Sequence, residues 1–345
     1  MPSYSKAKCC RWMEVIMAMN ENKIRQRWYG GGKVGMFAKM AAALFSFVVS
    51  VRSKLFQWGV FKTHQLKVPV IIVGNITAGG GGKTPMVIWL TNHLKSLGYK
   101  PGIVSRGYGG TRKVEPMYIT PNANPLASGD EPLLMAKRTQ LPVMVGKDRV
   151  KAAKALIKNY SVNVVVSDDG MQHLALGRDA EIVMLDAKWR TGNHLMMPAG
   201  PLREPLERLN SVDLVVFKGK FEGQHHYELA IDCIHQLNHA QNTKDSAEFR
   251  NQKVVAMAGI ANPNGFFSLL SNVGMAIIKH PLPDHHNFTA TDFKGHEETM
   301  VLITEKDAVK CESLNLPNVW VVKVKAVIPA TTVNALNQII DKVMK

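Results

Sequence analysis

Val70-Ile-Ile-Val-Gly-Asn-Ile-Thr-Ala-Gly-Gly-Gly-Gly-Lys-Thr-Pro85 carries the architecture of this chain. The β-branched run Val70 to Val73 predicts a short buried strand, a glycine-rich turn follows, and Gly82-Lys83-Thr84 opens a helix. Glycines let backbone N–H groups close around phosphate oxygens, and the helix N-terminus adds its positive end. Lys83 is then placed for the β- and γ-phosphates of a nucleotide, and the Thr84 hydroxyl for Mg²⁺. Pro85 suits the first helical turn, where its missing N–H is not needed. Thr77 stands where the pattern G-x-x-x-x-G-K-[ST] has its first glycine. A flexible loop with a chance lysine would need neither the strand before it nor the helix after it. The expected phosphate-binding set is therefore Thr77, Ala78, Gly79, Gly80, Gly81, Gly82, Lys83 and Thr84.

Upstream, residues 1–32 read as an irregular N-terminal extension ending in Gly30-Gly31-Gly32. From Lys33 to Phe61 the residues Phe37, Met40, Leu44, Phe47, Val48, Val51, Leu55 and Trp58 recur at helical spacing, opposite Lys39, Ser46, Ser50, Ser53 and Gln57. The uninterrupted stretch Met40–Val51 is twelve residues, short of the ~20 that span a bilayer. Residues 1–67 carry a net +10 of the chain's +16. A basic amphipathic helix with flanking tryptophans suits a membrane interface; a helix packing its stripe on the protein's own core has the same pattern. No short apolar core followed by a small-residue cleavage site marks a signal peptide.

Downstream, the pattern is strand, loop, helix, repeated, at Gly102–Ser105, Pro142–Val145, Val162–Ser167, Glu181–Asp186 and Asp213–Lys218. This predicts an α/β fold, a mostly parallel sheet with helices on both faces. The pattern weakens around Lys220–Glu248 and resumes at Lys253–Gly259, Gly274–His280, Met300–Thr304 and Val319–Val324, before a closing helix from Thr331 to Met344. A core over 67–219 and a smaller α/β domain over 220–345 are expected, in keeping with 345 residues. Hydrophobic content of 46% with 20% charged residues excludes a disordered or multi-span chain. The four cysteines, with Cys9 and Cys10 adjacent, suggest reduced thiols rather than a disulfide framework. His225, His226, His235 and His239 lack a metal-ligand spacing.

Asp168-Asp169 closes the most apolar strand and is the natural metal-side partner of the glycine loop, although an Asp before Gly170 also suits a turn. Asp130, in Ser-Gly-Asp-Glu-Pro before an apolar run, reads first as a helix cap, and His285 as a loop histidine without a partner. Arg106, Arg149 and Arg203 follow strand ends, where α/β proteins place ligands, and together suggest an anionic substrate.

Several motifs together resemble the tetraacyldisaccharide 4′-kinase family of lipid A biosynthesis. They are the glycine loop, Ser-Arg-Gly-Tyr-Gly-Gly, Gly-Asp-Glu-Pro, Asp-Asp-Gly-Met-Gln-His, Pro-Ala-Gly-Pro-Leu-Arg-Glu-Pro, Pro-Asp-His-His-Asn-Phe and Thr-Glu-Lys-Asp-Ala-Val-Lys, in the family's order from about Trp28 onward. The Thr77 departure is shared with that family. The resemblance implies a P-loop kinase moving the γ-phosphate of ATP to the 4′-hydroxyl of an acylated glucosamine disaccharide 1-phosphate, giving lipid IVA. It implies Lys83 and Thr84 for ATP and Mg²⁺, and Asp168, Asp169 and Glu204 as the metal-proximal acids. Asp130 becomes the general base assisted by His285, and Tyr108, Arg149, His173 and Arg203 the substrate contacts. Because Asp130 and His285 fall in different expected domains, closure over ATP would assemble them. The helix within 33–66 then serves as a membrane-associated element on the cytoplasmic face of the inner membrane, and neither nucleic acid nor a protein partner is implied.

A regulatory GTPase would want N/T-K-x-D; Thr304-Glu305-Lys306-Asp307 places Lys and Asp side by side. A nucleic-acid module is prompted by the +16 charge, but that charge gathers on an amphipathic segment without a binding motif.

Overall fold

The computed structural model describes residues 21–112 and 114–345. Strand β1 (Val70–Gly74) is buried at all of its residues, as a continuous apolar run in a parallel sheet requires. It lies between β5 (Val164–Asp168) and β6 (Ala180–Asp186), parallel to both. Around them are β2 (Pro101–Ser105), β3 (Met117–Ile119), β4 (Val143–Val145) and β7 (Leu214–Lys218). The second half supplies β8 (His226–Gln236), β9 (His239–Lys244), β10 (Lys253–Ala258), β11 (Ala276–Pro281), β12 (Val301–Thr304) and β13 (Val319–Val327). The described strands form one path, β11-β10-β12-β13-β8-β7-β6-β1-β5-β2-β4-β3, with β9 attached to β8. Among the described strands, only the β3–β4, β8–β9 and β8–β13 pairs are antiparallel.

The weakly patterned segment after Lys220 is therefore the seam of the sheet rather than a linker. The first residues of β8 pair with β7, at Phe217↔His226 and Lys218↔Tyr227, while most of β8 runs antiparallel to β13. The strand is half-buried along most of its length, so it lacks the apolar signature of its neighbours. The closing helix also departs from the expected division. Its Leu336, Ile339 and Ile340 share a core with Met86, Leu90 and Leu94 of the first half.

The extension is not irregular throughout. Residues 1–20 lie outside the described residues, but helix α1 (Glu21–Tyr29) forms where irregular chain was expected. Nine residues make a marginal helix in isolation; tertiary packing explains it. Trp28 is buried with Ala78 and Met197, and its indole N–H donates to the Pro198 carbonyl at 3.2 Å.

Helix α2 (Met36–Gln57) follows, 22 residues long and apolar enough by length and composition to cross a membrane. Its orientation is the informative part. Ala38, Ala42, Phe45 and Val49 pack on the protein, and Ser46, Ser50 and Ser53 are half-buried on that side. Phe37 is 89% exposed, and Met40, Leu44 and Phe47 each more than 60%. The apolar stripe faces away from the body, so the core-packing reading of this helix fails.

Candidate active site

The glycine loop joins β1 to helix α3 (Lys83–Ser96). Asn75 is wholly buried, and its side-chain oxygen accepts the Thr77 N–H and the Thr77 hydroxyl. Thr77 pairs with Leu202 in an antiparallel bridge, and Ala78 N–H donates to the Pro201 carbonyl at 2.7 Å. The loop thus begins as extended backbone laced to residues 201–203, where threonine fits and glycine is not required. Glycine is required at Gly82: its φ is 76°, and a Cβ would collide with the Tyr227 hydroxyl. That hydroxyl, on β8, donates to the Gly82 carbonyl at 2.6 Å and pins the loop at the start of α3.

Two acids end β5. Asp169 adopts a left-handed φ of 52° and lies 3.3 Å from Lys83 Nζ and 2.9 Å from Arg203 Nη2. Burial would raise its pKa, but Lys83 and Arg203 outweigh burial and hold the carboxyl well below its usual range. Asp168 behaves oppositely. It is buried, one oxygen accepts from the Ser105 hydroxyl at 2.9 Å, and the other has no partner. Burial, with Glu131 and Asp169 nearby, pushes its pKa up to about 7. A buried carboxylate with an unused oxygen near the glycine loop's lysine fits a divalent cation. Glu204, expected beside them, accepts from Gln172 and Arg208, and Gln172 also donates to the Asn75 carbonyl at the start of the glycine loop.

Of the expected substrate side chains, Arg149 and Arg203 reach Asp169, and His173 lies within electrostatic reach of Arg149. Arg149 begins helix α5 (Arg149–Asn159; α4 is Asp130–Thr139), is buried, and points one guanidinium nitrogen toward the Asp169 carbonyl at 3.5 Å. Burial, reinforced by Arg106, lowers its pKa to about 10. Arg203 bridges Asp169 and the Asn75 carbonyl, and the Nε atoms of both arginines are buried without partners. His173 has an unpartnered buried Nε2, and burial together with Arg149 lowers its pKa to about 4. Tyr108 sits apart from this group, 59% exposed, with its ring 5.5 Å from that of His285.

Asp130 is not the cap its position suggested. Gly129, at φ 85°, occupies the N-cap of α4 without a side-chain cap bond, and Asp130 is the first helical residue. Its side chain turns instead to His285, whose Nδ1 is 3.1 Å from Asp130 Oδ2, with Lys310 Nζ at 3.5 Å from the same oxygen. Burial would raise the Asp130 pKa, but the His285 hydrogen bond and the charges of Lys310 and Lys306 hold it below the ordinary value. Asp130 and His285, expected to meet only on domain closure, are already in contact. Glu131, next in the chain, is within electrostatic reach of Lys83, which sets this helix end near the glycine loop.

Sequence reasoning gave no role to Ser105, Tyr227, Asp307 or Lys310. Lys310 and Asp307 lie within Thr304–Lys310, a stretch that carried the family resemblance, and in part the guanine comparison, without a role for either side chain; Tyr227 had no local signal.

The family described as tetraacyldisaccharide-1-P 4′-kinase (LpxK) matches residues 35–345. The tetraacyldisaccharide 4′-kinase of Nitrosococcus oceani is 44% identical over 313 residues, covering 89% of this chain and 91% of that protein. That of Methylobacillus flagellatus is 42% identical over 306 residues, covering 88% and 91%. A crystal structure of LpxK from Aquifex aeolicus in complex with ATP has a TM-score of 0.73 and 28% identity, covering 88% of this chain and 97% of that one.

Proposed function

The chain belongs to the tetraacyldisaccharide-1-P 4′-kinase family, a kinase acting on the 4′-hydroxyl of the lipid A disaccharide 1-phosphate, and from this premise we propose how its residues carry the reaction. The donor is ATP, as in the Aquifex complex. The loop 77–82 encloses its phosphates, and Lys83 leaves Asp169 to reach the β- and γ-phosphate oxygens. Thr84 and Asp168 would hold Mg²⁺, which supplies charge neutralisation across the β- and γ-phosphates. Arg149, Arg203 and neutral His173 orient the anionic acceptor, and Tyr108 borders it beside His285.

A sugar hydroxyl is a poor nucleophile at neutral pH, so a positioned carboxylate helps by taking its proton as the new bond forms. Asp130 accepts that proton while the 4′-oxygen bonds to the γ-phosphorus; the bond to the bridging oxygen breaks and ADP leaves. The observation that carries this assignment is the Asp130–His285 contact at 3.1 Å, made by a helix-start carboxylate that caps nothing. The exposed stripe of α2 lies in the cytoplasmic face of the inner membrane, where an acylated acceptor keeps its chains.

The test is phosphate transfer from ATP to tetraacyldisaccharide 1-phosphate in detergent micelles with Mg²⁺. Wild type forms product, chelation by EDTA abolishes it, and folded Lys83→Ala loses at least about 100-fold in kcat/KM, the scale of removing a preorganised charge at transferring phosphate. Undiminished transfer by Lys83→Ala would overturn the loop assignment.

A further inference from the structure

We propose that Lys310, seated on Asp307, is a positioning residue that holds Asp130 ionised and aimed for the transfer, an inference that rests on Asp130 being the base. Both residues lie on the short helix α7 (Glu305–Cys311; α6 is Pro263–Asn272), where their i, i+3 spacing puts them on one face. Asp307 is wholly buried, and its carboxylate accepts the Gly259 N–H at 3.0 Å, the Thr304 hydroxyl at 2.8 Å and the Lys310 ammonium at 2.9 Å. The Lys310 side chain is 5% exposed, and its ammonium also lies 5.3 Å from the Phe288 ring centroid. A buried ammonium needs fixed anionic partners. Asp307 supplies one from within the second half of the molecule, and the other is Asp130, across the seam.

The charged groups around Asp130 divide cleanly. His285 approaches Oδ2 from the loop after β11. From α7, Lys306 is engaged with Glu131 at 3.0 Å and Asp284 at 3.6 Å, which leaves Lys310 as the cation 3.5 Å from Asp130. An opposite charge that close favours the ionised carboxylate by roughly 1–3 pK units. Lys310 therefore keeps Asp130 ready to accept a proton at lower pH than it otherwise would, and fixes its Oδ2 beside His285.

The experiment is the pH profile of kcat/KM for Lys310→Met, Lys310→Gln and Lys310→Arg, beside wild type and Asp130→Asn. The acid limb of the Met and Gln variants moves up by about one pH unit, at the low end of that charge effect, and Lys310→Arg restores it. Using both neutral variants guards against one that misfolds, and folding is checked by circular dichroism. A rate loss equal at all pH values, or an unmoved acid limb, would overturn the role of Lys310. If Asp130→Asn instead retains near wild-type turnover, the base assignment itself fails. An inactive Asp130→Asn with an unmoved limb in the Lys310 variants sinks only the present inference.

Discussion

At the scale of single residues, burial assigns roles that composition does not. His173 has its pKa lowered to about 4 by burial and by Arg149, against an ordinary value of 6.5. A histidine whose folded pKa is depressed binds fewer protons than the unfolded chain between those values, so stability rises with pH across that window and is lost as pH falls through it. Replacing His173 with Gln lowers the slope of unfolding free energy against pH between about 4 and 6.5 by up to one proton. Denaturant titrations across that range would measure it, and an unchanged slope would mean His173 does not stay neutral in the fold. The Asp168–Asp169 pair was legible in sequence because it ends an apolar strand after a glycine loop. What was not legible is that Asp169 is committed to Lys83 and Arg203 while Asp168 keeps an unused oxygen. Those are tertiary facts about which side of a turn each carboxylate faces. Without the family resemblance Asp130 read as a helix cap, for a related reason: Gly129, with its positive φ, takes the cap position and frees the next side chain for His285.

At the scale of elements, several strands buried on both faces announced themselves, while the half-exposed β8 and β9 did not. β1, β2, β4 and β5 are buried throughout, and the apolar runs that predicted them fall within a few residues of the observed bounds. β8 and β9, half-exposed and partly polar, were lost in the segment taken for a boundary. Helix α2 presents the reverse problem: its pattern was plain, but periodicity does not say which way a stripe points. In the structure the stripe points outward, with Phe37, Met40, Leu44 and Phe47 exposed. Replacing Leu44 and Phe47 with Ser should sharply reduce co-sedimentation with anionic phospholipid vesicles. Stability should change by no more than about 0.5 kcal/mol per site, as for exposed positions without special contacts. Retained vesicle binding with lost stability would indicate that these side chains pack on the protein instead.

At the scale of the whole molecule, the site is made by joining two halves through one sheet. β8 passes from β7 to β13, Tyr227 on it holds the glycine loop, and the closing helix packs back into the first core. Across the same seam, Arg138 pairs with Glu305 and Lys137 with Glu312, which fixes α4 against α7. This brings Asp130 of one half to His285 and Lys310 of the other. Such long-range joining leaves no trace in a sequence window, which is why the motifs were legible one by one and their assembly was not. The most direct test is single-turnover phosphate transfer by Asp130→Asn, with ATP affinity measured on the same protein. The account predicts ATP binding close to wild type and transfer slowed by about 10²–10⁴-fold, the range for a lost general base. A folded Asp130→Asn enzyme that transfers phosphate at near the wild-type rate would contradict it.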